Sequence, residues 1–349
     1  MQQPLNLHAL VRALIVTAVV SVTASVTAPV FAAAAPIVFA SWGGTTQSAQ
    51  QKEWAVPFTQ ASGVQVLMDG PTDYGKLKAM VDSGNVQWDV VDVEGDFAYA
   101  ALRDGLVEPI DYSVVNKSQL DPRFMSPGAV GSFYYSFVLG YNKATFKNGA
   151  PANYADLFDT KRFPGKRTFY KWSAPGVLEV ALLADGVAPD KLYPLDLDRA
   201  FKKLDTIKSD IVWWSGGAQS QQLMASGEAP LGVFWNGRLH ALQQTGVDVG
   251  VSWNQNLTAA DMLVVPKGAK HKDEAMKFLA TATSAQAQAN FAAETGYAPI
   301  NLKSAALLPA DVAKTQPDQY KATQINLDMK YWADHRDEIA KRWYAWQSK

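Results

Sequence analysis

Short apolar runs alternate with helical segments throughout this chain, an order that builds α/β architecture. Residues 37–42 read as a strand and 45–61 as a helix stopped by Gly63. Residues 64–68 predict a second strand, 74–82 a helix ended by Gly84, and 88–93 a third strand. Asp96 then offers a carboxylate to cap a helix running to Asp104, with Gly105 as its stop.

The next apolar run is longer. Residues 133–141 are β-prone throughout and pass straight into Asn142-Lys143 without a linker signature. The strand pattern recurs at 167–172, 211–214, 231–235 and 247–253, with helices expected at 177–184, 198–207, 218–225 and 238–244. Residues 261–266 predict a second long strand, followed by helices at 273–281 and 284–293 and a Trp-rich helix at 327–346. A chain of this length exceeds what one hydrophobic core usually organises, so two lobes are expected. No repeat or flexible tether is visible, which makes the two long strands the candidate crossings.

Residues 1–35 contain no acidic residue and one Arg, Arg12, ahead of an apolar run that ends at Val30-Phe31-Ala32. This is an export-signal pattern over 1–32 with cleavage near Ala32. Ser21, Thr23, Ser25, Thr27 and Pro29 dilute the run below what a spanning helix needs. There are 32 Lys and Arg, one of them Arg12 in the leader, against 33 Asp and Glu. That balance suggests no nucleic-acid or anionic-membrane partner. With no Cys, the fold uses no disulfide.

Chemistry concentrates at strand ends. Ser41-Trp42-Gly43-Gly44 ends a strand and opens a polar-started helix, presenting an aromatic face and backbone N–H groups to a small ligand. Trp172, Trp214 and Trp235 also stand at strand ends. Ser41, Tyr74, Glu94 and Ser173 join the candidates because they sit at the carboxyl ends of strands or in adjoining loops. A reaction centre is not evident: the four His lie in the leader or in Lys- and Arg-rich helical contexts, and no nucleophile, metalloprotease or phosphate-loop motif occurs. The chain is expected to be neither an enzyme nor a cofactor binder, and to be a monomer.

Several segments together resemble the periplasmic solute-binding proteins of ABC importers, and within them the spermidine/putrescine-binding group. They are Ser41-Trp42-Gly43-Gly44, Trp88-Asp89-Val90-Val91, Val138-Leu139-Gly140-Tyr141-Asn142-Lys143, the segment from Leu231 through Gly237, Asp261 to Pro266, and Glu294-Thr295-Gly296-Tyr297. The resemblance implies the two-lobe fold of that family (type II), with a ligand cleft between α/β lobes joined by two crossing strands. Lobe 1 is placed at 36–140 plus 262–305 and lobe 2 at 141–261 plus 306–349. It further implies a periplasmic location, a membrane permease as partner, and a small amine-bearing ligand.

In this family Asp261 matches the position whose carboxylate meets a ligand amine, and Trp42, Trp235 and Tyr297 match its aromatic walls. The second acidic pair of polyamine binders falls on Ser173 and Gly176, neither of them charged. Arg238, following Trp235-Asn236-Gly237, adds a cation suited to carboxylate or phosphonate. With Asp261 it suggests a zwitterion such as γ-aminobutyrate or an aminophosphonate; in the other reading it is a solvated helix residue. Gly43 belongs either to an anion cradle or to a tight turn. A ferric-ion binder of the same fold is the alternative raised by Tyr134-Tyr135, although neighbours in a strand point to opposite faces. A periplasmic hydrolase is the alternative from another class, without motif support.

Overall fold

The computed structural model describes residues 35–147 and 149–349, so the leader expected at 1–32 lies outside the described residues. Ten strands form one mixed sheet: β1 Ile37–Ala40, β2 Val66–Asp69, β3 Val90–Glu94, β4 Met125–Ser126, β5 Ala129–Asn142, β6 Arg167–Tyr170, β7 Ile211–Trp214, β8 Leu231–Trp235, β9 Val249–Val264 and β10 Ile325–Asn326. Their order is β2-β1-β3-β9-β5-β8-β6-β7, with β10 on β9 and β4 on β5. β1 runs parallel to β2 and β3, and β6 parallel to β7 and β8. Antiparallel pairings of β3 with β9, β9 with β5 and β5 with β8 join the two parallel groups.

The joining strands are the long ones. β5 and β9 pair from Val130 opposite Leu263 to Asn142 opposite Val249. The 261–264 end of β9 carries β3, while residues 137–141 of β5 carry β8. The apolar pattern splits β9 into 247–253 and 261–266, and the structure makes it one strand of 16 residues. Asn254-Gln255-Asn256, between those two runs, forms a bulge opposite Val138, with Gln255 at φ 61°. Ser136 Oγ donates to Asn256 Oδ1 at 2.8 Å, so this buried amide is held inside the ladder.

Two further expectations change. The helix expected over 45–61 is broken: Gly44–Gln50 and Val56–Ser62 flank a π turn at Gln51–Ala55. Pro57 lacks the N–H that would continue the regular ladder there. Asp96 is not a cap. Its helix is Gly95–Arg103 with Glu94 at the cap position, and Asp96 lies buried in the first turn against Arg336.

The C-terminal helix Met329–Gln347 lies against both parallel groups. Trp332 Nε1 donates to Glu179 Oε1 at 2.6 Å, Trp343 Nε1 to Lys171 O at 2.9 Å, and Trp346 Nε1 to Asp205 Oδ1 at 2.7 Å. On the other side Arg336 pairs with Asp96, and Asp334 with Arg103 at 2.9 Å. Among the described residues no helix is long and apolar enough to cross a membrane.

Candidate functional site

A cavity of about 420 Å³ collects the ends of strands from both parallel groups. Trp42 follows β1, Glu94 ends β3, Asp261 lies in β9, and Phe133 and Tyr135 project from β5. From the other group come Trp172 after β6, residues 215–217 after β7, Trp235 at the end of β8 and Arg238 in the first turn of Asn236–Gln244. Tyr74, Tyr297 and Arg336 complete the walls.

The walls are largely aromatic. Trp172, Trp214 and Trp235 pack against one another with ring centroids 5.0–6.1 Å apart, and Trp214 is the buried member that backs the other two. Tyr297 stacks on Phe133 at 4.9 Å and lies 6.0 Å from Tyr135. Opposite them, Trp42 meets Tyr74 edge to face at 6.0 Å. The indole N–H of Trp235 is buried without a partner among the described residues, so the cavity holds a polar donor left open to a ligand.

A carboxyl and a guanidinium stand in this setting. Asp261 is 7% exposed, and Arg238 donates from Nη1 to Thr45 Oγ1 at 3.3 Å while its Nε is buried and unpartnered. Neither forms an ion pair with another described residue. The Arg238 guanidinium lies 5.9 Å from the Trp235 ring centre. Burial, reinforced by the negative charges of Asp92 and Glu94, pushes the Asp261 carboxyl well above its ordinary range. Burial, with Asp96 behind it, raises Glu94 to about 7, against the pull of Arg336. Among the described residues, no three carboxylate, imidazole or thiol groups converge as a metal site.

Seven of the ten residues singled out in the sequence line the cavity: Trp42, Tyr74, Glu94, Trp235, Arg238, Asp261 and Tyr297. Ser41, Gly43 and Ser173 do not. Ser41 is buried beneath, donating to Gln50, whose amide donates in turn to Asp92. The Gly43 N–H is taken by Gln47 Oε1 at 2.9 Å, and φ of 77° at Gly43 makes the turn rather than an anion cradle. Ser173 lies outside the lining, its N–H 3.5 Å from the Tyr344 hydroxyl.

Sequence reasoning missed Phe133, Tyr135 and Arg336. The first two carried a usable signal, since alternation along β5 puts 133 and 135 on one face. Arg336 carried none: only the docking of the C-terminal helix brings it here. The tyrosine pair diverges, with the Tyr134 hydroxyl donating to Asp318 on the far side while Tyr135 faces the cavity. Gly176, where polyamine binders carry an acid, sits at φ 122°, and a Cβ there would stand 2.8 Å from the Tyr170 hydroxyl.

Two groups of strands bridged by two long ones, with an aromatic cavity between, define a two-lobe solute-binding protein. The chain belongs to the bacterial extracellular solute-binding protein family, which it matches over residues 53–322. It is 36% identical to the gamma-aminobutyric acid-binding protein of Pseudomonas aeruginosa, over 91% of this chain and 94% of that one. It is 25% identical to the spermidine/putrescine-binding periplasmic protein of Escherichia coli, over 73% and 76%. A solved structure described as a GABA receptor shares 66% identity and a TM-score of 0.87, over 90% of this chain and 98% of that one. Another of this fold is described as an ABC transporter substrate-binding protein. The chain is accordingly a solute-binding component of an ABC transporter.

Proposed function

We propose that this protein captures a short zwitterion, γ-aminobutyrate or a close analogue, in the periplasm and delivers it to the membrane permease of its importer. One observation carries the reading: Asp261 and Arg238, neither with an ion partner among the described residues, face the same aromatic cavity. An ammonium desolvated there gains from the Asp261 carboxylate and from ring quadrupoles. A carboxylate gains a planar donor fork from Arg238. The names of two relatives, a gamma-aminobutyric acid-binding protein and a GABA receptor, support the same ligand.

Lobe 1 at 36–140 plus 262–305 and lobe 2 at 141–261 plus 306–349 belong to this reading, with β5 and β9 as the hinge on which the lobes close. Closure brings Arg238, next to β8, to Thr45 beside β1. A ligand seated between the lobes therefore stabilises the closed form by its contacts with both. The permease then meets a closed protein and an emptied one as different shapes.

A thermal-shift and calorimetry panel of γ-aminobutyrate, aminoethylphosphonate, putrescine, spermidine, choline-type amines and amino acids tests the ligand, because a binder stabilises the native state by mass action. The expected result is strongest stabilisation by γ-aminobutyrate. Stabilisation by spermidine with none by any zwitterion would overturn the reading.

A further inference from the structure

Beside the Asp261 and Arg238 pair, the cavity wall contains a second arrangement suited to a cation, and the protein fills it itself. Arg336 reaches in from the C-terminal helix. Its Nη1 donates to Asp96 Oδ2, its Nη2 lies 3.9 Å from Glu94 Oε2, and its guanidinium lies 5.3 Å from the Tyr74 ring centre. Tyr74 is fixed by stacking on Phe97 at 3.7 Å, and its hydroxyl donates to Glu94 Oε2 at 3.3 Å. An aromatic face flanked by two carboxylates is what an organic ammonium requires. Glu94 also stands next to Asp261 across the β3–β9 pair, so this place adjoins the one assigned to the ligand amine.

We propose that Arg336 is a tethered occupant of a second cation subsite, and that by holding it the protein excludes diamines from a cavity otherwise rich enough in acid to bind them. Three indole hydrogen bonds along the helix, from Trp332, Trp343 and Trp346, hold the tether in place. A diamine entering the intact cavity would set its second ammonium against a fixed guanidinium. A monoamine with an acid group of its own meets no such repulsion. The absence of acids at Ser173 and Gly176 is thus only half of the discrimination against polyamines.

The proposal rests on reading the cavity as an amine site, and calorimetric titration of putrescine separates the two. Measurements belong well above the Glu94 value of about 7, because removing Arg336 takes away a charge that pulls this carboxyl down and so lifts it further. Arg336→Ala is expected to bind putrescine roughly tenfold or more tightly than the unaltered protein, as a cation gains a hydrogen-bonded carboxylate. Adding Glu94→Gln should remove the gain, and Arg336→Lys, which keeps a cation in place, should show none. Because Arg336→Ala strands the buried Asp96 charge, Asp96→Asn/Arg336→Ala is judged by the same criterion if the single variant does not fold. A folded variant without the putrescine gain, or a gain that survives Glu94→Gln, overturns the proposal. Failure of the unaltered protein to bind γ-aminobutyrate would overturn the ligand reading and leave the putrescine comparison standing.

Discussion

Asp261 and Glu94 stand directly opposite each other across the antiparallel β3–β9 pair, two carboxyl groups on one face of the sheet. Like charges in that position repel. The arrangement is held by Arg336 on the Glu94 side and by upward shifts of both carboxyls, with Glu94 at about 7. A site of this kind is poised to exchange a proton for an ammonium.

The ligand amine should be lost first when Asp261 is altered. Asp261→Asn is expected to weaken γ-aminobutyrate binding by about 2–5 kcal/mol, the range for truncating one partner of a buried charge pair. Calorimetry showing unchanged affinity would remove Asp261 from the site.

The acid end answers to Arg238. Arg238→Met should weaken γ-aminobutyrate binding by a similar amount, about 2–5 kcal/mol. Arg238→Lys should recover only part of it, because a point charge lacks the two-pronged donor geometry. Equal binding of γ-aminobutyrate by Arg238→Met and the parent protein would place the ligand acid elsewhere.

Affinity should depend on pH through the carboxyl pair. In the empty cavity both groups are raised, so at low pH the ammonium must displace a proton and binding weakens. As pH rises above 7 the Glu94 proton is already gone, and the part of the pH dependence that comes from Glu94 levels off. Titrations in buffers of different ionisation enthalpy should show proton release near pH 6 that shrinks in Glu94→Gln. Release that is absent at every pH would contradict the coupling.

Stability of the ligand-free protein should carry the opposite slope. Asp92 is fully buried, and burial raises it to about 7 against the hydrogen bonds from Gln50, Ser132 and Ser41. Its unfolded value is about 3.9. The stability of the neutral form is therefore fully present below that value and is lost as pH rises through 7. Melting temperature should fall between acidic and mildly alkaline pH, and Asp92→Asn should flatten part of that fall; a mutant with an undiminished slope would assign it to other groups.

Restoring the polyamine binders' acid at Gly176 should fail. With φ of 122° and Tyr170 and Phe137 within 2.8–3.3 Å of a Cβ, Gly176→Asp is expected to cost about 1–3 kcal/mol of stability. Denaturant melts that match the parent protein would show that the backbone there yields easily.

The sequence by itself determined most of the elements and named most of the candidate residues that come to line the cavity. Short apolar runs marked the strands, glycines marked helix stops, and Trp42 and Trp235 were legible because they stand at strand ends, while Asp261 came from the family resemblance and Arg238 from its place just after Trp235. The resemblance supplied what pattern does not, the pairing of distant strand ends across two lobes. Local pattern failed at Asn254-Gln255-Asn256, where turn-like residues are drawn into β9 by its partner β5. It failed at Asp96 and Ser41, whose polar side chains are spent on buried neighbours instead of on a cap or a ligand. Arg336 belongs wholly to the tertiary structure. Its meaning comes from a helix docked 240 residues away from Asp96, and no periodicity along a chain records which distant carboxylates a guanidinium will meet.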